Sequence, residues 1–224
     1  MKGSIIGVSR KKKAGVLAGT EPKMRRKTFD TLLTAGGAVM TIVLVVAGVL
    51  LMWGHNFANS NVRTQLAQQQ IVVPALGSSA LASPEIGPYL NQYAGQEVLS
   101  GPAAKAYADH FIAVHLSEMQ YGGVYSKVSA AAMAAPKGSA QATQLQALET
   151  TVFQGTTLRG LLLEAYAFWE MGQIALIAAI ASFIGAGLML VLTALGFWHL
   201  RKVSPAEEVL AQRLHLETPQ VVGA

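Results

Sequence analysis

The chain has 224 residues, 52% of them hydrophobic, and a formal net charge of +5. It contains no cysteine, which excludes disulfides, thiolate metal sites and cysteine nucleophiles. The sequence also lacks a nucleophile motif, a phosphate-binding glycine loop, a haem-attachment motif and a metal signature. We therefore expect a protein that is not an enzyme and that holds no metal and no cofactor.

Two apolar runs, residues 31–53 and 171–198, contain no Asp, Glu, Lys or Arg. At about 1.5 Å per residue the shorter run reaches roughly 35 Å, enough to cross a hydrocarbon core of about 30 Å. Backbone polar groups in lipid must bond within the segment, so both runs predict transmembrane helices. A cleaved signal peptide is the alternative for the first run. We favour an uncleaved anchor, because that run is too long and the small-residue cleavage candidate, Ala58 to Ser60, lies well past it.

The basic residues are distributed unevenly around the two spans. Nine precede the first span, five lie between the spans and three follow the second. The positive-inside rule then predicts a two-pass protein of the cell inner membrane with both termini in the cytoplasm. Anchoring and contact with anionic lipid explain the basic tail directly, so we do not expect nucleic acid as a partner. The predicted segments are a basic cytoplasmic tail (1–30), the first span (31–53), an extracytoplasmic helical module (54–170), the second span (171–198) and a cytoplasmic tail (199–224).

Proline placement predicts where the helices run, because proline breaks helix interiors. Proline is absent from residues 23–73 and again from 137–204. The first helix should therefore continue outward to Gln70, and the second should begin near Ser139. Residues 71–88 are predicted to be extended chain and loop. The predicted fold is an all-α membrane protein, with two transmembrane helices extended outward and a small helical extracytoplasmic module between them.

A third long helix, of about 20 residues, is predicted between a start at Gly101 and Pro102 and a stop at Gly122 and Gly123. One of its faces carries Ala104, Ala108, Phe111, Ile112, His115 and Met119. A 3,4 spacing also predicts a seam on the outer part of the last helix. Its members are Leu145, Leu148, Val152, Gly155, Arg159, Leu162, Tyr166 and Trp169. In the C-terminal tail, a capping box at residues 204–207 predicts a short amphipathic helix to about Leu214.

His110 and His115 are the first candidates for chemistry. Five residues on a helix rotate by about 140°, so the two side chains should diverge, which does not favour a shared metal. We interpret His115 as packed in the helix seam and His110 as facing solvent or a partner. Arg159, on an apolar seam, requires a carboxylate or several carbonyls, and Asp109 and Glu118 are the candidate carboxylates. A docking contact to another subunit and a catalytic cation are the alternative roles for Arg159.

Small residues along the spans allow helices to approach closely, either to join the two spans or to dock them onto a larger complex. Ala181 and Gly185 form a small-xxx-small pair, and Gly187 follows. Trp169 belongs to an aromatic belt at the start of the second span. The predicted partner contacts are His115, Arg159, Trp169, Gly185 and Gly187.

Four stretches of the chain resemble uncharacterised actinobacterial two-span membrane proteins, namely residues 93–101, 107–112, 115–116 and 157–162. The layout is also similar to that of small accessory subunits of the actinobacterial cytochrome bcc–aa3 respiratory supercomplex, including its association factor. This resemblance implies a non-enzymatic accessory or assembly subunit that docks onto a larger membrane complex, with cytochrome bcc–aa3 subunits as candidate partners. It carries over no catalytic residues.

An extracytoplasmic ligand-binding or sensor module is the alternative function. An enclosed polar cavity would favour the sensor, whereas an exposed apolar stripe along the helices would favour the subunit. A metalloenzyme, the third class, would need His110 and His115 to converge with a carboxylate.

Overall fold

The computed structural model describes residues 26–202, and its regular structure is helical, with no strand in that range. A π-helical segment, Tyr107–Ile112, joins α3 to α4. We call the continuous segment 101–117 the central helix. The all-α class and the two long apolar helices are confirmed. The helices are α1 (Arg26–Gln69), α2 (Gly87–Leu90), α3 (Gly101–Ala106), α4 (Ala113–Ser117), α5 (Tyr125–Ala134) and α6 (Ala140–Leu200).

Helices α1 and α6 continue well beyond their apolar runs. Helix α1 stops at Gln69 because Gln70 adopts a left-handed backbone with φ of 51°. Helix α6 begins after Ser139, whose Oγ accepts a hydrogen bond of 3.1 Å from the Ala142 amide. The predicted helix boundaries near Gln70 and Ser139 are therefore confirmed. Both helices are long and apolar enough to cross a membrane, which fits a membrane protein.

Residues 26–39 and 189–202 belong to one compact unit. The two helical segments in it pack through small residues. A Cβ atom added to Gly37 would lie 2.7 Å from Thr193 Oγ1, and one added to Gly196 would lie 2.7 Å from Thr34 Oγ1. Glycine is thus what allows this close approach.

Residues 40–188 form the second compact unit. Within it, Gly48 faces the ring of Phe183, and an added Cβ would come within 2.8 Å of that ring. Gly172 lies against helix α1, and its carbonyl oxygen is 2.9 Å from His55 Nδ1. Gly185 contacts Leu44, whereas Gly187 has no atom within 4 Å of an added Cβ. Small residues were predicted either to join the two spans or to dock them onto a larger complex. Gly48 and Gly185 serve the first of these uses, because they lie in the contact between α1 and α6.

The hydrophobic core of the second unit is formed by the central helix, the seam of α6 and the segment before the central helix, together with Val62 and Leu66 of α1 and Val128 of α5. Extended residues 71–73 and 96–98 pair through hydrogen bonds from the Val73 amide to Gln96 and from the Val98 amide to Ile71. The loop predicted for residues 71–88 is only partly correct, because a short helical turn at Ser79–Leu81 and the start of α2 lie inside it. Leu81, Ile86 and Leu90 are buried by these turns.

The central helix departs from the predicted regular helix of about 20 residues. Its α-helical part ends at Ser117, and the Ala113 amide donates to the Ala108 carbonyl, the i→i+5 pattern of a π-helix. A π turn holds more residues than an α turn, so the next buried position shifts toward the C-terminus. The buried residues along this face of the central helix are Ala104, Ala108, Ile112 and Leu116.

Helix α5 was not predicted, although its alanine-rich part was visible in the sequence. Val128 is its buried residue and anchors the helix to the core. The predicted amphipathic helix at 204–214 lies outside the described residues, as do residues 1–25 of the basic tail. Residues 26–30, placed in the basic tail by the prediction, are the first turns of α1.

The glycine contacts lead to a test. Gly48→Leu should lower the melting temperature in detergent by several degrees, because the new side chain meets the Phe183 ring. Gly187→Leu is the matched control, since open space surrounds that position. Its melting temperature should stay equal or rise slightly, because leucine favours helix more than glycine does. Equal losses in both variants would contradict the assigned packing.

Candidate functional site

Three contacts fix the central helix antiparallel to α6. An added Cβ at Gly101 would lie 2.5 Å from the Trp169 ring, so the helix start rests directly on that indole. Asp109 pairs with Arg159 near the middle. At the other end, an added Cβ at Gly155 would lie 2.9 Å from Leu116. The predicted seam of α6 is thus confirmed as the surface that receives the central helix.

The charged cluster in this contact consists of Lys105, Asp109 and Arg159. Arg159 Nη2 donates to Asp109 Oδ1 over 2.9 Å, and Lys105 Nζ donates to Oδ2 over 2.6 Å. Lys105 also lies 5.4 Å from the ring centroid of Tyr166. Between the two candidate carboxylates, Arg159 pairs with Asp109 and not with Glu118. Arg159 Nε is buried without a hydrogen-bond partner among the described residues.

The cluster shifts the pKa values of Asp109 and Lys105. Partial burial raises the pKa of Asp109, but hydrogen bonds from Lys105 and Arg159 outweigh it, so this pKa lies below its ordinary value. The hydrogen bond to Asp109 raises the pKa of Lys105. Asp109 and Lys105 therefore stay charged at neutral pH, which suits a structural ion cluster better than proton transfer.

His110 and His115 each contact a different aromatic side chain. The His110 ring stacks on Tyr89 with 3.4 Å between ring centroids. His115 lies 4.5 Å from the Phe111 ring, and its Nδ1 is 2.7 Å from the Phe111 carbonyl oxygen, which places an N–H there as donor. His115 is exposed, so the prediction that it packs in the helix seam is wrong. The π turn gives the buried position to Leu116 instead.

The described part of the chain contains no group of three His, Cys, Asp or Glu side chains that could hold a metal ion. The five predicted contact residues divide into two sets. Arg159, Trp169 and Gly185 make contacts inside the chain. His115 and Gly187 are exposed, although His115 also contacts Phe111 within the chain.

An open groove between α1 and α6 was missed by the sequence prediction. It has a volume of about 390 Å³ and lies on the side of α1 that carries Asn61, Gln65 and Gln69. The i, i+4 spacing of these amides could have indicated one polar edge. Its lining residues are Asn61, Val62, Gln65, Leu66, Gln69, Leu158, Leu161, Leu162, Glu164, Ala165 and Phe168. We call it the amide-edged groove.

Two further grooves are open to solvent. One, of about 440 Å³, adjoins the amide-edged groove at Asn61 and is lined on α1 by Trp53 and Phe57 among others. The other, of about 390 Å³, is mainly polar and includes Tyr121, which adopts a left-handed backbone with φ of 60°. Neither encloses a ligand-sized space.

No protein-family model, curated protein or solved structure matches the chain. Function must therefore be inferred from the surfaces described above. The charged cluster is used within the fold, whereas the amide-edged groove is exposed and apolar along its floor.

The charged cluster makes a prediction about stability. Asp109→Asn should lower the free energy of unfolding by about 1 kcal/mol, between the values for exposed and buried ion pairs, since Asp109 is 23% and Arg159 40% exposed. Glu118→Gln, an exposed carboxylate of the same region, is the control and should change little.

The pH dependence follows from the direction of each shift. Asp109, with a lowered pKa, stabilises the fold above about pH 4 and loses this effect as the pH falls through its folded pKa. Lys105, with a raised pKa, stabilises it below about pH 10 and loses this effect as the pH rises through its folded pKa. The difference between wild type and Asp109→Asn should thus be constant between about pH 5 and 9 and shrink below about pH 4. A difference that persists unchanged at pH 2 would exclude the ion cluster as its cause.

Proposed function

We propose that the chain is a non-enzymatic accessory or assembly subunit of a larger membrane complex. In this proposal α1 and α6 cross the membrane through residues 31–53 and 171–198. Both termini are cytoplasmic, and residues 54–170 form a helical extracytoplasmic module. Anionic lipid contacts the basic N-terminal tail. The uneven distribution of Lys and Arg supports this orientation.

The amide-edged groove is the observation that carries the proposal. Leu161 is 58% exposed although it lines a surface that lies beyond the predicted span, where water would surround an isolated protein. An exposed apolar stripe of this kind is typical of an interaction surface. A sensor would need an enclosed polar cavity, and the three grooves described for residues 26–202 are open.

We propose that the larger complex is a respiratory complex. The resemblance to accessory subunits of the actinobacterial cytochrome bcc–aa3 supercomplex supports this assignment. The small size of the module is also consistent with a docking role. In this role the chain stabilises an interface and takes no part in electron transfer itself. The histidines His110 and His115 are held by aromatic contacts within the module.

Purification in mild detergent tests the proposal. A tag at the C-terminus should recover cytochrome subunits in stoichiometric amounts, identified by mass spectrometry and by haem absorbance of the eluate. Recovery of another membrane complex in stoichiometric amounts would still support the subunit function but would contradict the respiratory complex as its partner. Recovery of the tagged protein alone, at the same expression level, would contradict the proposed function.

A further inference from the structure

The amide-edged groove has two chemically different edges. Asn61, Gln65 and Gln69 follow one another at intervals of four residues along α1, so their side chains form one row. On α6, an apolar row at 3,4 spacing is formed by Leu158, Leu161, Ala165 and Phe168. Between the rows, buried Val62, Leu66 and Leu162 make the floor.

The dimensions of the groove suit a helix. Residues 61–69 span about 12 Å of α1, and residues 158–168 span about 15 Å of α6, at about 1.5 Å per residue. Two to three turns of a third helix fit that length, with side chains at i, i+3 or i+4, and i+7 entering the apolar row. Two parallel rows of side chains with a depression between them are the surface into which a helix ridge packs.

The negative charge of Glu164 indicates which charge a molecule bound in the groove should carry. Glu164 is the one charged residue among its lining residues, and it has no hydrogen-bond or ion-pair partner in the described range. The Lys105 and Arg159 cations are engaged by Asp109. A basic residue from outside the chain is thus the natural complement of Glu164.

We propose that this groove seats a helix of the partner complex that has an apolar ridge, a Lys or Arg beside Glu164 and polar side chains facing the amide row. This inference rests on the proposed function and assigns its docking surface. A lipid acyl chain would fill the floor but would offer no partner to the Glu164 carboxylate or to the amide row, in which Gln65 donates a hydrogen bond to Asn61. A second copy of the chain would bring a second Glu164 to an interface between identical grooves.

Site-directed cross-linking tests the proposal, and the absence of native cysteine makes it specific. Gln65→Cys and Leu161→Cys place a benzophenone maleimide in the groove. The controls, Ala67→Cys and Thr156→Cys, are exposed positions on the same helices outside the groove. After irradiation of native membranes, tandem mass spectrometry identifies the cross-linked partner peptide.

Both groove positions should cross-link to one partner helix at least tenfold more than their controls. That peptide should show apolar residues at helical spacing with a Lys or Arg within one turn of the cross-link. Glu164→Lys, combined with Leu161→Cys, should reduce the yield about fivefold, the effect of a charge contact of about 1 kcal/mol. Glu164→Gln should reduce it less.

The other outcomes overturn the inference in distinguishable ways. Cross-links at the control positions only, or none while the tagged protein still recovers its complex, would refute the groove and leave the proposed function intact. Groove cross-links to lipid or to a second copy would refute the partner helix. The absence of cross-links together with recovery of the tagged protein alone would refute both.

Discussion

The seam of α6 is the constraint on which the second unit depends. The central helix is too short to be stable by itself, and α6 helps to cover its hydrophobic face with small and large residues in matching positions. Gly155 makes room for Leu116, Arg159 pairs with Asp109, and Trp169 supports the helix start at Gly101. These contacts have different chemistry, so together they specify one register between the two helices.

A subset of the charged and aromatic side chains of residues 54–170 serves this internal contact. The cluster of Lys105, Asp109 and Arg159 and the stacks around His110 and His115 are satisfied within the chain. Among the surfaces that residues 54–170 leave exposed is an apolar groove with an amide edge and one carboxylate. A protein that binds another helix needs this combination of free surface and internal rigidity, because docking then costs little ordering. The proposed subunit function rests on that division.

The sequence predicted the long helices well, because proline and hydrophobic runs act locally and their effects can be read residue by residue. It also predicted the α6 seam and the pairing of Arg159 with a carboxylate, since a buried guanidinium requires one. It could not predict the π turn, after which Leu116 and not His115 is the buried residue. The amide-edged groove was equally hidden, because it exists only where two distant segments of the chain meet.

The central claim is that two membrane spans present residues 54–170 outside the cytoplasm, and cysteine accessibility tests it most directly. Ser126→Cys lies at an exposed position of α5, and Thr218→Cys lies in the C-terminal tail. A membrane-impermeant maleimide should label Ser126→Cys on intact spheroplasts and Thr218→Cys only after permeabilisation. Labelling of Thr218→Cys without permeabilisation, or protection of Ser126→Cys in intact spheroplasts, would contradict the orientation on which the docking surface depends.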